Sequence, residues 1–168
     1  MAQLIKNGLA ATDTWKILEL AEGESPETVA LPEGDVIFPL TVWVARKDEI
    51  VSRPTIGLLL QPADQVEDVA GELSSFNIIA VNFPKFVDGR GYSTAALLRQ
   101  RYGYTGELRS VGDVLHDQLF FMRRVGFDSY ALKDGKNLAY ALEAGFKPFG
   151  DAYQGATDQA QPYFRRRA

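Results

Sequence analysis

The chain contains no cysteine. That excludes disulfides, thiol catalysis, haem–thiolate ligation and cysteine-held iron–sulfur clusters in this polypeptide. Histidine occurs once, at His116. No apolar run is long enough to span a bilayer, and the N-terminus lacks the charged-then-apolar pattern of a signal peptide. No membrane association is therefore expected, and a cytoplasmic location is. An excess of positive charge is also missing. The net charge of −4 argues against nucleic acid as a general partner, because phosphate backbones require basic surface. Nucleotide fingerprints are absent too. Gly89-Arg90-Gly91 lacks the third glycine of a dinucleotide turn, and no Gly-Lys-Ser run follows a glycine-rich loop. No cofactor can be assigned from the motifs.

What remains is enough for one compact domain. The chain has 168 residues, of which 46% are hydrophobic, and this supports a single core. Residues 1–35 read as an appendage. Short strands at 3–5 and 15–20 flank an Asn7-Gly8 turn, and an acidic, Pro- and Gly-bearing surface loop covers 22–34. Such a hairpin would serve as an edge cover or a homodimer contact. Residues 36–150 form the regular part. A strand at 36–38 leads into an amphipathic helix at 40–51, with Trp43 in the core. Strands follow at 56–60, 78–82, 107–111 and 128–132. Helices follow them, with Asp64 and Glu67 forming a capping box, Ser93 or Thr94 opening the next helix, and Asp113 capping residues 114–125. The last helix covers 136–144, and Gly103, Gly126 and Gly145 act as stops. The tail, 151–168, ends in Arg165-Arg166-Arg167 and reads as a solvated end.

This βα alternation implies an α/β fold with a mainly parallel sheet. It is either an open sheet or an incomplete (β/α) barrel, with the N-terminal β-hairpin attached. Loops after Leu60, Asn82, Val111 and Leu132 then converge at the strand C-termini, where such folds place their chemistry.

Two loops there carry glycine and charge. In the first, Asp88, Gly89, Arg90, Gly91 and Ser93 suit a small oxyanion. The glycines would bring backbone N–H groups close, Arg90 would bind in two places, and the helix start would add partial positive charge. The competing reading is a tight turn pinned by an Asp88–Arg90 ion pair. Arg109 alternates with Leu108 on the next strand, so it is either a ligand contact or half of a buried ion pair. In the second loop, Asp113, His116 and Asp117 stand at helical i, i+3 and i+4. They can form an acid–base centre, or Asp113 is an N-cap beside two surface residues. No metal site is expected. Phe120, Phe121 and Met122 read as core.

The ordered string Val81-Asn82-Phe83-Pro84-Lys85-Phe86, Asp88 to Ser93, Gly106-Glu107-Leu108-Arg109, Val111-Gly112-Asp113-Val114 and Gly126-Phe127-Asp128 resembles a family of bacterial proteins, domain-of-unknown-function family nine-three-four. The likeness runs across residues 55–153. Members are labelled oxidoreductases of sulfite reduction and are encoded beside the sulfite reductase haemoprotein. That label is an inference from gene neighbourhood and brings no catalytic residues with it. Many relatives have a cysteine where this chain has Val125, so a redox thiol at that place is not essential here.

Two functions follow as expectations. The first is an accessory protein of assimilatory sulfite reduction. It would bind a small oxyanion through Arg90, Arg99 and Arg109, or dock on sulfite reductase or its electron donor. The second is a small oxidoreductase of the same pathway that uses Asp113, His116 and Asp117.

Overall fold

The computed structural model describes residues 3–147 and 151–166. Strands β1 (Gln3–Lys6), β2 (Leu9–Thr12), β3 (Lys16–Ile17), β4 (Val36–Pro39), β5 (Gly57–Leu60), β6 (Ile78–Phe83), β7 (Glu107–Gly112) and β8 (Ser129–Tyr130) form one sheet. Its spatial order is β2-β1-β8-β7-β6-β5-β4-β3. From β3 to β8 each strand pairs in parallel with the next, so sequence order and spatial order agree. Right-handed crossovers in this winding put every connection on the same face.

The connection from β2 to β3 shows that the sheet is curled. These strands lie at opposite edges, yet only Asp13, Thr14 and Trp15 join them. Laid flat, eight strands would separate the edges by about 34 Å. Four Cα steps reach at most about 14 Å. The sheet must therefore wrap toward itself, as an incomplete barrel whose seam is crossed by residues 13–15.

The two faces of the sheet have different jobs. The outer face carries the main core, where Phe38, Leu58, Leu60, Ile79, Val81 and Leu108 meet the helices. The inner face is smaller, with Ile37, Leu59, Ile78, Ala80 and Val111 closed over by Trp15 and Ala131. Space inside the curl is short. A Cβ on Gly57 would stand 2.7 Å from Ile37 Cγ1 and 2.9 Å from Ile78 Cγ2, so the strands approach here only because that position has no side chain.

Helix α1 (Leu40–Ile50) buries Leu40, Val42, Trp43 and Ile50. Trp43 Nε1 donates to Glu72 at 2.9 Å, so this tryptophan is core with a satisfied polar end. Beyond β6 come α2 (Arg90–Ala96) and a widened turn at Leu97–Arg101; beyond β7 come a 3₁₀ turn at His116–Gln118 and α3 (Leu119–Val125). Helix α4 (Leu138–Ala144) follows β8, and α5 (Tyr163–Arg166) lies in the tail.

Several expectations need correction. The hairpin partner of β1 is Leu9–Thr12, not residues 15–20; the stretch from Trp15 instead opens parallel β3. The hairpin is built into the sheet, since β1 pairs with β8 and buries Leu4 and Ile5. Asp64 opens no helix. Its carboxylate accepts the Gln61 N–H, and only short 3₁₀ turns follow, at Val66–Val69 and Leu73–Ser75. Helix α2 starts at Arg90, ahead of Ser93. Gly145 ends α4 with right-handed dihedrals, whereas Gly103 and Gly126 do adopt positive φ. Phe121 is exposed at the surface rather than core. In the tail, Arg165 and Arg166 belong to α5, whereas Arg167 lies outside the described residues.

Candidate functional site

The strand C-termini form a rim, and the connections above it hold Asp88, Gly89, Asp113, His116 and Asp117 of the expected site residues. Gln61 follows β5, residues 84–89 join β6 to α2, Gly112 ends β7, and residues 131–137 join β8 to α4.

In the first loop, Arg90 Nη2 and Nε donate to the two Asp88 oxygens at 2.7 and 3.0 Å. Asp88 Oδ1 also accepts the Arg90 N–H. The guanidinium hydrogen bonds hold the Asp88 carboxyl below its usual range. Neither glycine adopts positive φ, and only Gly89 is exposed. Gly89 has φ −86°. Gly91 is buried where a Cβ would meet Phe83 Cζ at 2.7 Å, so it serves close packing of α2 on β6. Ser93 lies within α2, exposed and away from its first N–H groups. The turn pinned by an ion pair is the arrangement found.

Arg109 is 3% exposed and points into the curl. Its Nη1 meets Asp13 Oδ1 at 2.8 Å, and its Nη2 meets Glu107 Oε1 at 2.8 Å. Lys6 completes the group through Glu107 Oε2. Burial alone would raise the Glu107 carboxyl, but Lys6 and Arg109 together hold it below the ordinary value. This is a structural ion network spanning β1, β7 and the seam.

Arg99 lies at the other end of the sheet. It donates to the carbonyls of Tyr104, Gly106 and Gly126 and pairs with Asp128 at 2.7 Å, tying together the entries to β7 and β8. Burial raises the Asp128 carboxyl, against the opposing Leu108 N–H and Arg99. The three arginines thus do not converge, and each is held by protein acceptors.

Asp113, His116 and Asp117 do not share a helical face, because α3 begins only at Leu119. Asp113 is a clamp. Its carboxylate accepts the Phe86 N–H at 3.1 Å and Lys133 Nζ at 2.9 Å, joining two rim loops. Lys133 is the main reason its carboxyl lies low. His116 packs edge-on against Tyr140 with centroids 5.0 Å apart, and Asp117 is exposed. Among the described residues no group of three or more His, Cys, Asp or Glu side chains comes together as a metal site.

Two features escaped the sequence reading. One is a groove of about 550 Å³ over the inner face, with Leu20, Thr41, Gln61, Asn82, Val111 and Gly112 among its walls. Strict alternation places Gln61 in line with Leu59, and Asn82 in line with Ala80, so inward-facing amides at two strand ends were the available clue. The other is a knuckle at the tip of the 84–89 loop, where Phe86 is 47% and Val87 82% exposed. The Asp113 clamp and the Asp88–Arg90 pair hold that tip from both sides.

Residues 57–164 match the family described as bacterial protein of unknown function (DUF934). The chain belongs to that family. The match runs from β5 into the start of α5 and takes in both rim features except the groove wall from residues 17–41. No curated protein and no solved structure matches the chain significantly. Among the described residues no helix is long and apolar enough to cross a membrane.

Proposed function

We propose that this DUF934 protein is an accessory protein of assimilatory sulfite reduction, and that it docks on the sulfite reductase haemoprotein or its electron donor through the Phe86–Val87 knuckle. The pathway is what the family resemblance implies. The docking mode rests on one observation, that two neighbouring large apolar side chains stand in solvent on a loop braced from both sides. Exposed apolar clusters of this kind characterise interaction surfaces, and a braced loop loses little entropy on binding. Lys85 is exposed beside them, whereas the neighbouring Arg90 and Lys133 are paired with Asp88 and Asp113, so one cation at the edge of the knuckle suits a partner with an apolar pocket and an acidic group beside it.

Docking is favoured over oxyanion capture by the state of the arginines. To bind sulfite, Arg90 would have to leave Asp88, and Arg109 would have to leave two carboxylates. The test is capture of the purified reductase and of its donor, each separately, on immobilised protein. Val87→Asp should lower capture by more than tenfold, the scale of a central interface residue, with an unchanged melting curve. Equal capture by wild type and variant would remove the knuckle from the interface.

A further inference from the structure

The amides of the inner groove are half used. Asn82 Nδ2 donates to Gln61 Oε1 at 2.7 Å, which fixes the orientation of both groups. Asn82 Oδ1 and Gln61 Nε2 have no partner among the described residues, so the pair offers the groove one free acceptor and one free donor in set positions. Both residues are only half-buried, and both line the cavity.

The surroundings restrict what can lie there. Leu20, Pro39, Leu59 and Val111 make apolar walls. No lysine or arginine lines this groove, and exposed Glu19 stands on its edge, so an anion gains no countercharge. A volume of about 550 Å³ falls within the range of small-molecule sites, which pair mainly apolar walls with a few placed polar groups. The groove also lies at the carboxyl ends of parallel strands, where curled α/β sheets bind ligands. A separate hollow of about 400 Å³ borders it at Ile17, Val111 and Gly112, and the charged Asp13, Arg109 and Lys133 lie on that side rather than in the groove.

We propose that the groove is a binding site for an uncharged, planar nitrogen heterocycle whose edge carries a ring N–H beside a carbonyl. The ring would lie between the leucine and valine walls. Its N–H would donate to Asn82 Oδ1, and its carbonyl would accept from Gln61 Nε2. This site is separate from the docking knuckle, so either can fail alone.

The probe is lumazine, a fluorescent pteridinedione with such an edge, titrated against the full chain. Saturable quenching is expected below ~1 mM, the range of a weak specific complex. 1,3-Dimethyllumazine, which has no ring N–H, should bind about tenfold more weakly or not at all. Gln61→Leu should weaken lumazine by a similar factor, with its fold checked by circular dichroism. The methylated ligand needs no variant, so the test survives a misfolded Gln61→Leu. Absence of saturable binding, or equal binding of the two lumazines to the wild-type chain, would overturn the proposal.

Discussion

Arg109 and Asp13 lie 96 positions apart in the chain, yet their side chains meet at 2.8 Å inside the curled sheet. Asp13 belongs to the three-residue link between the sheet's two edges, and Arg109 stands on β7. The ion pair therefore fastens the link to the middle of the sheet. It explains how a buried charge can sit beside the Ile37, Leu59, Ile78, Ala80 and Val111 cluster of that face.

Removing Arg109 should be costly. Arg109→Ala leaves Asp13 and Glu107 facing each other without their shared cation. The expected loss is about 3–5 kcal/mol, as for other buried pairs broken on one side. Urea denaturation monitored by tryptophan fluorescence measures it, and Trp15 in the link should report the loosening directly.

The same network sets part of the acid response. The Glu107 carboxyl is held low in the folded chain, while its unfolded value is about 4.3. Its contribution is thus fully present above the unfolded value and is lost as pH falls through the folded one. The stability gap between wild type and Glu107→Gln should narrow between neutral pH and about pH 3. A gap of constant size across that series would mean that Glu107 is not the titrating group.

Gly112 should tolerate no side chain. Its φ is +93°, and a Cβ would stand 2.5 Å from both Phe83 O and Asn82 Oδ1. Gly112→Ala is expected to lose about 1–3 kcal/mol through backbone strain, plus the cost of displacing Asn82. A chemical-denaturation midpoint at the wild-type value would contradict this.

Arg99 should not be replaceable by lysine. Three carbonyls and one carboxylate surround its planar group, and an ammonium cannot reach them all. Arg99→Lys should lower stability by about 2 kcal/mol or more. Because the site lies opposite the rim, partner capture at a temperature where the variant is folded should be unchanged.

Much of the fold was legible in the sequence. The unbroken apolar runs of β5 and β6 read as buried parallel strands, the stripe of α1 placed Trp43 inward, and the βα alternation gave a curled or open parallel sheet. Leu9-Ala10-Ala11-Thr12 was missed as a strand because an edge ribbon facing solvent has no apolar alternation to reveal it. The helix expected from Asp113 fails because Asp113 uses its carboxylate on Phe86 and Lys133 instead of on the next turn, so the chain enters α3 six residues later. The glycine- and charge-bearing loops do stand over the strand C-termini, but their charged side chains are tied to one another, with Arg90 on Asp88 and Asp113 on Lys133. Local spacing shows which charges share a loop. It cannot show that Asp13, from the far side of the chain, already holds Arg109.

The most direct test of the docking account is the equilibrium affinity of the purified chain for the sulfite reductase haemoprotein and for its electron donor, by isothermal titration. Wild type should bind one of them, Val87→Asp should bind it more than tenfold more weakly, and His116→Ala should bind as wild type does. Identical affinities for wild type and Val87→Asp, or turnover of sulfite by the isolated chain that His116→Ala abolishes, would contradict it.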